Sequence, residues 1–541
     1  MSTAYFEVPK PYNEPYLSYA PGTPGREHLK AALNELRSKE IEIPVIIGGK
    51  EYRTSRTEDV SMPHNHGHKL ATVYKAGEKE VALAIKTALE ARQKWADMPW
   101  EHRASVLLKA ADLITGPYRY KMNAATMLGQ SKTPHQSEIE AVGELADFFR
   151  FNAYYLTQIM GDQPSSPKDT WNRVEYRGLE GFMLAVTPFN FTAIAGNLPT
   201  SMALCGNVVI WKPAMSAIYS NYMLMKILEE AGMPPGVINF LPGDGPDVGD
   251  PVFESPDFAG LQFTGSTATF QHMWKTIGGN IAKYKSYPRI VGETGGKDFI
   301  FAHPTADAEE VAVAALRGAF EFQGQKCSAA SRMYLPESLW ADVKPSLLNK
   351  VEGVRVGDVE DFSNFMGAVI DRKAFDKIKG YIDFARQAND AEIIAGGGCN
   401  DSIGYFVEPT VIVTSNPKFK TMEEEIFGPV ITIYVYADDE VDEALELCDT
   451  TSPYALTGAI FAKDRYAIEH MAERLRYAAG NFYINDKPTG AIVNQQPFGG
   501  ARASGTNDKA GSMQNLLRWL SARSIKENMN PPKDWKYPYM G

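Results

Sequence analysis

The sequence predicts an α/β fold of two successive lobes, each a mostly parallel sheet covered by helices on both faces. Three observations predict it. Short apolar runs at 182–186, 207–211, 237–241 and 261–263 alternate with helical segments and turn residues, the pattern of βαβ units whose strands are buried from both sides. The alternation resumes after Glu293, with runs at 299–302, 331–334 and 430–435. At 541 residues the chain has room for three or four structural units and an ample core.

Upstream of these runs the pattern is helical. The stretch to about Gly25 is rich in Pro, Tyr and Gly and is expected to run irregularly over the surface. A helix starts near Arg26. In the next, Val81, Ile85, Leu89 and Trp95 fall near helical spacing and Pro99 stops the chain. Another spans 103–114, and a longer one 137–155, with Ile139, Val142, Leu145 and Phe149 on one side. A polar break at 161–168 precedes a strand at 171–176. The aromatic, proline-rich tail from Pro531 is too short to fold alone and is expected to pack on another part of the molecule or on a second subunit.

Composition narrows the function. The net charge is −11, with 55 Lys plus Arg against 66 Asp plus Glu and no long basic run, which disfavours nucleic-acid binding. No stretch reaches the ~18 apolar residues of a membrane helix. Four cysteines without a C-x-x-C spacing form neither a disulfide framework nor a zinc site, and they fit a reducing compartment. The N-terminus carries neither a secretory signal nor an Arg-rich presequence, the first arginine being Arg26. These features point to a cytoplasmic protein of bacterial type, or to a mitochondrial matrix protein with its presequence removed.

Several motifs bear on chemistry. Gly292-Glu-Thr-Gly-Gly-Lys297 looks like a P-loop fragment, but Asp298 follows where Ser or Thr is required, and Gly243-Asp-Gly245 lacks a third glycine at dinucleotide-binding spacing. In the segment 261–270 a strand ends at Phe263, Gly265 turns the chain and a helix opens at Ser266 or Thr267. Free backbone N–H groups and a positive helix end there suit a phosphate, although Ser and Thr are also ordinary N-caps. His64, His66 and His68 alternate, yet they read better as a turn with solvated imidazoles than as a metal site. Cys327 lies beside Lys326 after a helix at about 308–320 that breaks by Gly324, and a second short helix near the thiol is expected to depress its pKa. The alternative is a small buried apolar residue. Glu293 sits among glycines that let a ligand approach the backbone, and Asn190 closes a strand in Thr187-Pro-Phe-Asn190. Singly, each also reads as a salt-bridged carboxylate or a turn-former.

Together, Thr187-Pro-Phe-Asn190, Trp211-Lys-Pro213, Phe263-Thr-Gly-Ser266, Gly292-Glu-Thr-Gly-Gly-Lys297, Gly324-Gln-Lys-Cys327, Glu425-Ile-Phe-Gly-Pro429 and Pro497-Phe-Gly-Gly500 occur in an order and spacing that resemble the aldehyde dehydrogenase superfamily across about residues 40–525. The resemblance implies a doubly wound, Rossmann-type NAD-binding domain at 1–150 and 173–293 and an α/β catalytic domain at 294–500. It also implies a β-strand oligomerisation arm from 151–172 and 501–541, in a homodimer or higher homo-oligomer. Cys327 becomes the nucleophile, the Asn190 amide and the Cys327 N–H the oxyanion donors, and Glu293 the general base, with no metal. NAD contacts fall on Thr187, Lys212, Gly265, Ser266, Thr267, Ala268, Thr269, Glu425 and Phe427. Met215 stands where many NAD-preferring relatives carry Glu, so NADP is less firmly excluded.

Within the superfamily the sequence most resembles the branch that oxidises L-glutamate γ-semialdehyde. Phe189-Asn-Phe-Thr-Ala-Ile194, Gln325-Lys-Cys-Ser-Ala329, Gly404-Tyr-Phe-Val-Glu-Pro409, Gly480-Asn-Phe-Tyr-Ile-Asn-Asp486 and the segment 495–508 carry that likeness. It implies conversion of the semialdehyde, in equilibrium with pyrroline-5-carboxylate, to L-glutamate, the second step of proline degradation. Backbone N–H groups of Gly490 and Ala491 would then cradle the substrate carboxylate, Ala491 replacing a Ser frequent in relatives. Phe191 and Phe498 would sandwich the methylene stem, Glu144 and Lys326 shape the polar rim, and Ser328 touch the substrate oxygen. Both aromatics also read as core, and Glu144 as a helix surface charge. Other readings are a dehydrogenase of another amino- or oxo-acid semialdehyde, a fused flavin-dependent proline oxidase for which the chain has no room, and a non-catalytic protein, against which Cys327, Glu293 and Asn190 speak.

Overall fold

A computed structural model describes residue 4 and residues 6–541 of the chain. The first lobe is built on β1 (Phe182–Val186), β2 (Val209–Lys212), β3 (Ile238–Phe240), β4 (Phe258–Thr264) and β5 (Arg289–Glu293), parallel in the order β5-β4-β1-β2-β3. Antiparallel strands Val45–Ile47 and Lys50–Tyr52 extend the sheet beyond β3. One core cluster packs on each face of this sheet, which is why its strands read as nearly continuous apolar runs. Register sets the function of its edge. Val186 lies opposite Lys212 and Phe263, and Thr264 opposite Glu293. The strands therefore end together, and Thr187, Lys212, Gly265 and Glu293 meet along the carboxyl edge, where ligands bind in open α/β sheets.

The second lobe repeats the scheme. β6 (Asp298–Ala302), β7 (Ala330–Pro336), β8 (Thr410–Thr414), β9 (Val430–Tyr436), β10 (Thr457–Phe461) and β11 (Asn481–Ile484) are parallel in the order β8-β9-β7-β6-β10-β11, with Ala391–Ala395 antiparallel at the β8 edge. Asp298 pairs with Ala330 at the start of β6 and β7. The loop leaving β5 and the turn carrying Cys327 thus enter the second sheet side by side, at the seam between lobes.

Helices α1 (Pro24–Arg37), α2 (Glu78–Ala96), α3 (Trp100–Thr115), α4 (Arg119–Gln130), α5 (Leu145–Gly161), α6 (Thr192–Leu204), α7 (Thr267–Gly279) and α8 (Ala308–Phe320) pack around these sheets. The helix expected at 137–155 belongs to a longer run from Pro134 to Gly161, and over Glu138–Glu144 its winding widens to a π-helix. Such bulges re-aim side chains and recur at functional sites.

The expected boundary at 150/151 falls inside α5, and that at 172/173 inside the strand Thr170–Arg177. That strand pairs antiparallel with Ser521–Asn528 in an outlying two-stranded ribbon, whereas Leu516, Trp519 and Leu520 are buried in the first-lobe core; the ribbon, not everything after 501, has the character of an arm. Among the described residues the tail is uncovered, with Trp535 and Tyr539 76% and 85% exposed. The histidines are not free in solvent: His64 is buried with Nδ1 3.2 Å from Ser131 Oγ, and the half-buried His66 and His68 bond the Asp401 and Arg37 carbonyls, each at 2.9 Å. Burial lowers the His64 pKa to about 4. Among the described residues no cluster of metal-ligating side chains is placed to hold an ion, and no helix is long and apolar enough to cross a membrane.

Candidate active site

Cys327 owes its position to a strained turn. After α8 the chain enters the left-handed region at Phe322, Gln323 and Gly324, with φ of 50°, 56° and 64°. At Gly324 a Cβ would overlap the Gly428 carbonyl, so glycine is required. The two non-glycine residues cost roughly 1–2 kcal/mol each in this conformation. Contacts from both lobes hold them there: Gln323 Nε2 donates to the Ser131 and Ala368 carbonyls at 2.9 and 2.8 Å, and Ile370 N donates to Gln325 Oε1 at 2.8 Å. Cys327 itself sits in a turn directly before β7; no helix begins there.

The expected depression of the thiol pKa is overturned. Burial first, then Glu293, Asp298 and Glu425, push Cys327 well above its ordinary value. The Lys326 ammonium turns away to Glu321 at 2.9 Å, so the sequence neighbour does not offset them. That same pairing leaves Glu293 without a lysine clamp. Burial raises Glu293 to about 8, with Lys509 opposing and Asp508 adding to the shift. Asn190 is buried and gives one amide hydrogen to the Gln325 carbonyl at 3.1 Å, which ties it to the thiol loop and leaves its second hydrogen uncommitted.

A cavity of about 220 Å³ opens on Cys327. Glu144, Phe191, Lys326, Ser328, Gly490, Ala491 and Phe498 all line it, so every candidate substrate contact is gathered around the thiol. The Gly490 and Ala491 N–H groups donate to no acceptor among the described residues, Gly490 having φ +95°. Ser328 Oγ lies 2.7 Å from Thr489 Oγ1. Glu144 is no surface charge: burial and then Glu140 raise it to about 8. A larger cleft of about 710 Å³ lies against Arg92, Arg103, Arg177 and Arg289 near the ribbon and is lined by no cysteine.

On the other side of the thiol runs the carboxyl edge of the first sheet. Ser266 caps α7, its Oγ accepting from Thr269 N at 3.2 Å, as the N-cap reading expects. Thr267 and Ala268 follow at the helix start, with Ala268 exposed. Gly265 N donates to the Glu293 carbonyl at 3.2 Å, fixing the turn. Thr187 Oγ1 accepts from Trp211 Nε1 at 3.0 Å. The Lys212 ammonium has no hydrogen-bond or ion-pair partner among the described residues and burial lowers its pKa, a donor awaiting an acceptor. Glu425 Oε1 accepts from Gly296 N at 2.9 Å, and Phe427, at φ 61°, meets Phe189 edge-on at 5.7 Å. An open helix N-terminus, an unpartnered lysine and a carboxylate beside glycines fit a dinucleotide.

The sequence profile of the aldehyde dehydrogenase family matches residues 51–525. The chain belongs to that family. A mitochondrial delta-1-pyrroline-5-carboxylate dehydrogenase of Dictyostelium discoideum is 52% identical over 536 residues, covering 98% of this chain and 96% of the relative. The crystal structure of the delta-pyrroline-5-carboxylate dehydrogenase from Mycobacterium tuberculosis bound with NAD has a TM-score of 0.97 at 50% identity, with 100% of both chains covered. A 1-pyrroline-5-carboxylate dehydrogenase from Thermus with bound NAD gives 0.90 at 32% identity, over 96% of this chain and 99% of that one.

In this aldehyde dehydrogenase the candidate site also holds residues that the sequence pattern does not disclose. Lys132, fully buried, pairs with Glu140 at 2.7 Å and lies 4.4 and 4.3 Å from the ring centres of Phe191 and Phe322. Glu140 accepts from Ala193 N at 3.0 Å, so the pair steadies the start of α6 and with it Phe191. Burial lowers Lys132 and raises Glu140. The i, i+4 spacing of Glu140 and Glu144 on one helix was a usable signal; the Lys132 partnership was not. Tyr16, from the irregular N-terminal stretch, also lines the cavity.

Proposed function

We propose that this protein is an NAD-dependent delta-1-pyrroline-5-carboxylate dehydrogenase, oxidising L-glutamate γ-semialdehyde to L-glutamate in the second step of proline degradation. One observation carries the reading. A single cavity joins the Cys327 thiol to two aromatic walls, Phe191 and Phe498, and to the unpaired N–H groups of Gly490 and Ala491. This suits a short aliphatic aldehyde with a carboxylate at its far end.

The residues divide the chemistry between them. The Cys327 thiol gives up its proton to solvent through the cavity, its sulfur attacks the aldehyde carbon, and the resulting oxyanion is held by the free hydrogen of the Asn190 amide and by the Cys327 N–H. Loss of hydride from this carbon leaves a thioester on Cys327; NAD, when bound, would supply the hydride acceptor. Glu293 then takes a proton from water as it attacks the thioester carbon, and the C–S bond breaks to release glutamate and thiolate. A carboxyl group with pKa about 8 is suited to that proton transfer near neutrality. Lys212 would hold the adenosine ribose, the start of α7 from Gly265 to Thr269 the pyrophosphate, with Thr187 alongside, and Glu425 and Phe427 the nicotinamide end. Glu144 and Lys326 set the polarity of the substrate rim, and Ser328 reaches the substrate oxygen.

The 170–177 and 521–528 ribbon and its uncovered aromatic tail support a homodimer or larger homo-oligomer. Four unbridged cysteines support a reducing compartment, the cytoplasm or the mitochondrial matrix. The test is NADH formation at 340 nm with pyrroline-5-carboxylate, beside propionaldehyde and NADP controls. Activity that is strong with NAD and the amino-acid semialdehyde and abolished by Cys327→Ala is expected. Turnover of simple aldehydes alone would overturn the substrate.

A further inference from the structure

We propose that Tyr16, carried on an N-terminal strap, is a specificity-determining wall that closes the mouth of the substrate cavity and limits the length of aldehyde it accepts. The inference rests on the substrate reading above and adds to it a residue outside the nucleophile, cofactor and anchor-loop motifs.

The strap has no regular structure of its own between residues 6 and 20, yet it is stitched to three walls of the cavity. Asn13 Nδ2 donates to Asp147 Oδ2 at 2.8 Å and to the Val493 carbonyl at 2.9 Å, joining α5 to the loop that follows Gly490 and Ala491. Glu14 N donates to Asp147 Oδ1 at 2.8 Å, and the Glu14 carboxylate binds Arg119 and Arg150 at 2.9 and 2.7 Å. Leu17 N and the Tyr19 hydroxyl both donate to Glu138, at 2.9 and 2.6 Å, in the π-helical segment. These bonds hold Tyr16 between two fixed flanks.

Its location follows from two further observations. The ring lines the cavity while 41% of the residue faces solvent, so it stands between the bound substrate and bulk water. The π-helix supplies its seat: a Cβ at Gly143 would overlap the Tyr16 ring. Glycine at 143 is required by the tyrosine, since Gly143 itself needs no left-handed backbone.

The experiment compares kcat/KM for L-glutamate γ-semialdehyde with that for its homologue one methylene longer, in the full-length protein and in Tyr16→Ala, Gly143→Ala and Tyr16→Phe. One methylene in a shaped pocket is worth about 10- to 200-fold in discrimination. Tyr16→Ala should therefore raise the ratio for the longer aldehyde by about tenfold or more, chiefly through a lower KM for the longer one. Gly143→Ala should do the same by displacing an intact tyrosine, and Tyr16→Phe should keep the parental ratio. Thermal unfolding identifies any variant that fails to fold, and Gly143→Ala decides the matter if Tyr16→Ala does. Equal loss of activity on both aldehydes, with the ratio unchanged, would overturn the inference. A parent protein inert toward glutamate semialdehyde would overturn the proposed function instead; the strap is then judged by the same ratio on whichever homologous pair of aldehydes it oxidises.

Discussion

Replacing Glu293 by Gln separates the two halves of the proposed reaction, because the glutamine keeps the shape of the site and removes only the base. With a pKa of about 8, about one Glu293 in ten is ionised at pH 7, and the rate of thioester hydrolysis should rise roughly tenfold per pH unit until it levels above pH 8. Losing a positioned general base costs about 10²–10⁴-fold. Rapid mixing of enzyme, NAD and semialdehyde should show a burst of one NADH per active site in the Gln variant, followed by a steady rate lower by that factor and without the rise toward pH 8. Two results would refute the reasoning. A steady rate equal to the parent's would mean that Glu293 is not the base, and loss of the burst itself would place its action on the thiol step.

The other predictions concern the supports of the site. Asn190→Ala should lower turnover about 100- to 1,000-fold with little change in KM; steady-state kinetics with an unchanged kcat would remove it from the oxyanion site. Gln323→Ala deletes two bonds to buried carbonyls and should cost about 2–4 kcal/mol in urea unfolding, with slower turnover at similar KM, whereas parental turnover would show that the turn keeps its shape unaided. The raised pKa of Glu293 gives a stability contribution present below pH 4.5 and lost as pH rises through about 8. Glu293→Gln should accordingly melt above the parent at pH 9 and level with it at low pH, and equal melting at both would show that the folded carboxyl is unperturbed. Removing residues 521–541 should leave a smaller assembly in sedimentation; an unchanged mass would exclude the ribbon as the subunit contact.

Local signals were enough wherever neighbours in sequence decide the outcome. The runs at 182–186 and 430–435 are apolar because both faces of each sheet are covered, and the structure places strands there. Helix 308–320 was readable from its apolar stripe, and Asp307 caps it. The glycine-punctuated turns at 265, 295–296 and 324 likewise carry their own geometry, so the order of the motifs was enough to read an aldehyde dehydrogenase and to nominate Cys327, Glu293 and Asn190. By contrast, the hairpin Thr57–Met62 with Asn65–Tyr74 escaped notice, since its first strand is half exposed and rich in Thr, Glu, Asp and Ser.

Charge environments were decided by the tertiary structure alone. Lys326 adjoins Cys327 in sequence, which argues for an acidic thiol, but folding turns its ammonium to Glu321 and brings carboxylates from 293, 298 and 425 toward the sulfur. His64 looked solvated until residues 131 and 358 enclosed it. Tyr16 lay in a segment without periodicity and became part of the substrate cavity through bonds to residues more than a hundred positions away. The sequence by itself determined most of the strands, the turns and the candidate reacting groups, because these depend on a residue and its near neighbours. Burial and long-range packing set the proton affinity of those groups and the walls around them, because electrostatic interactions strengthen away from water and act between segments that only the fold brings together.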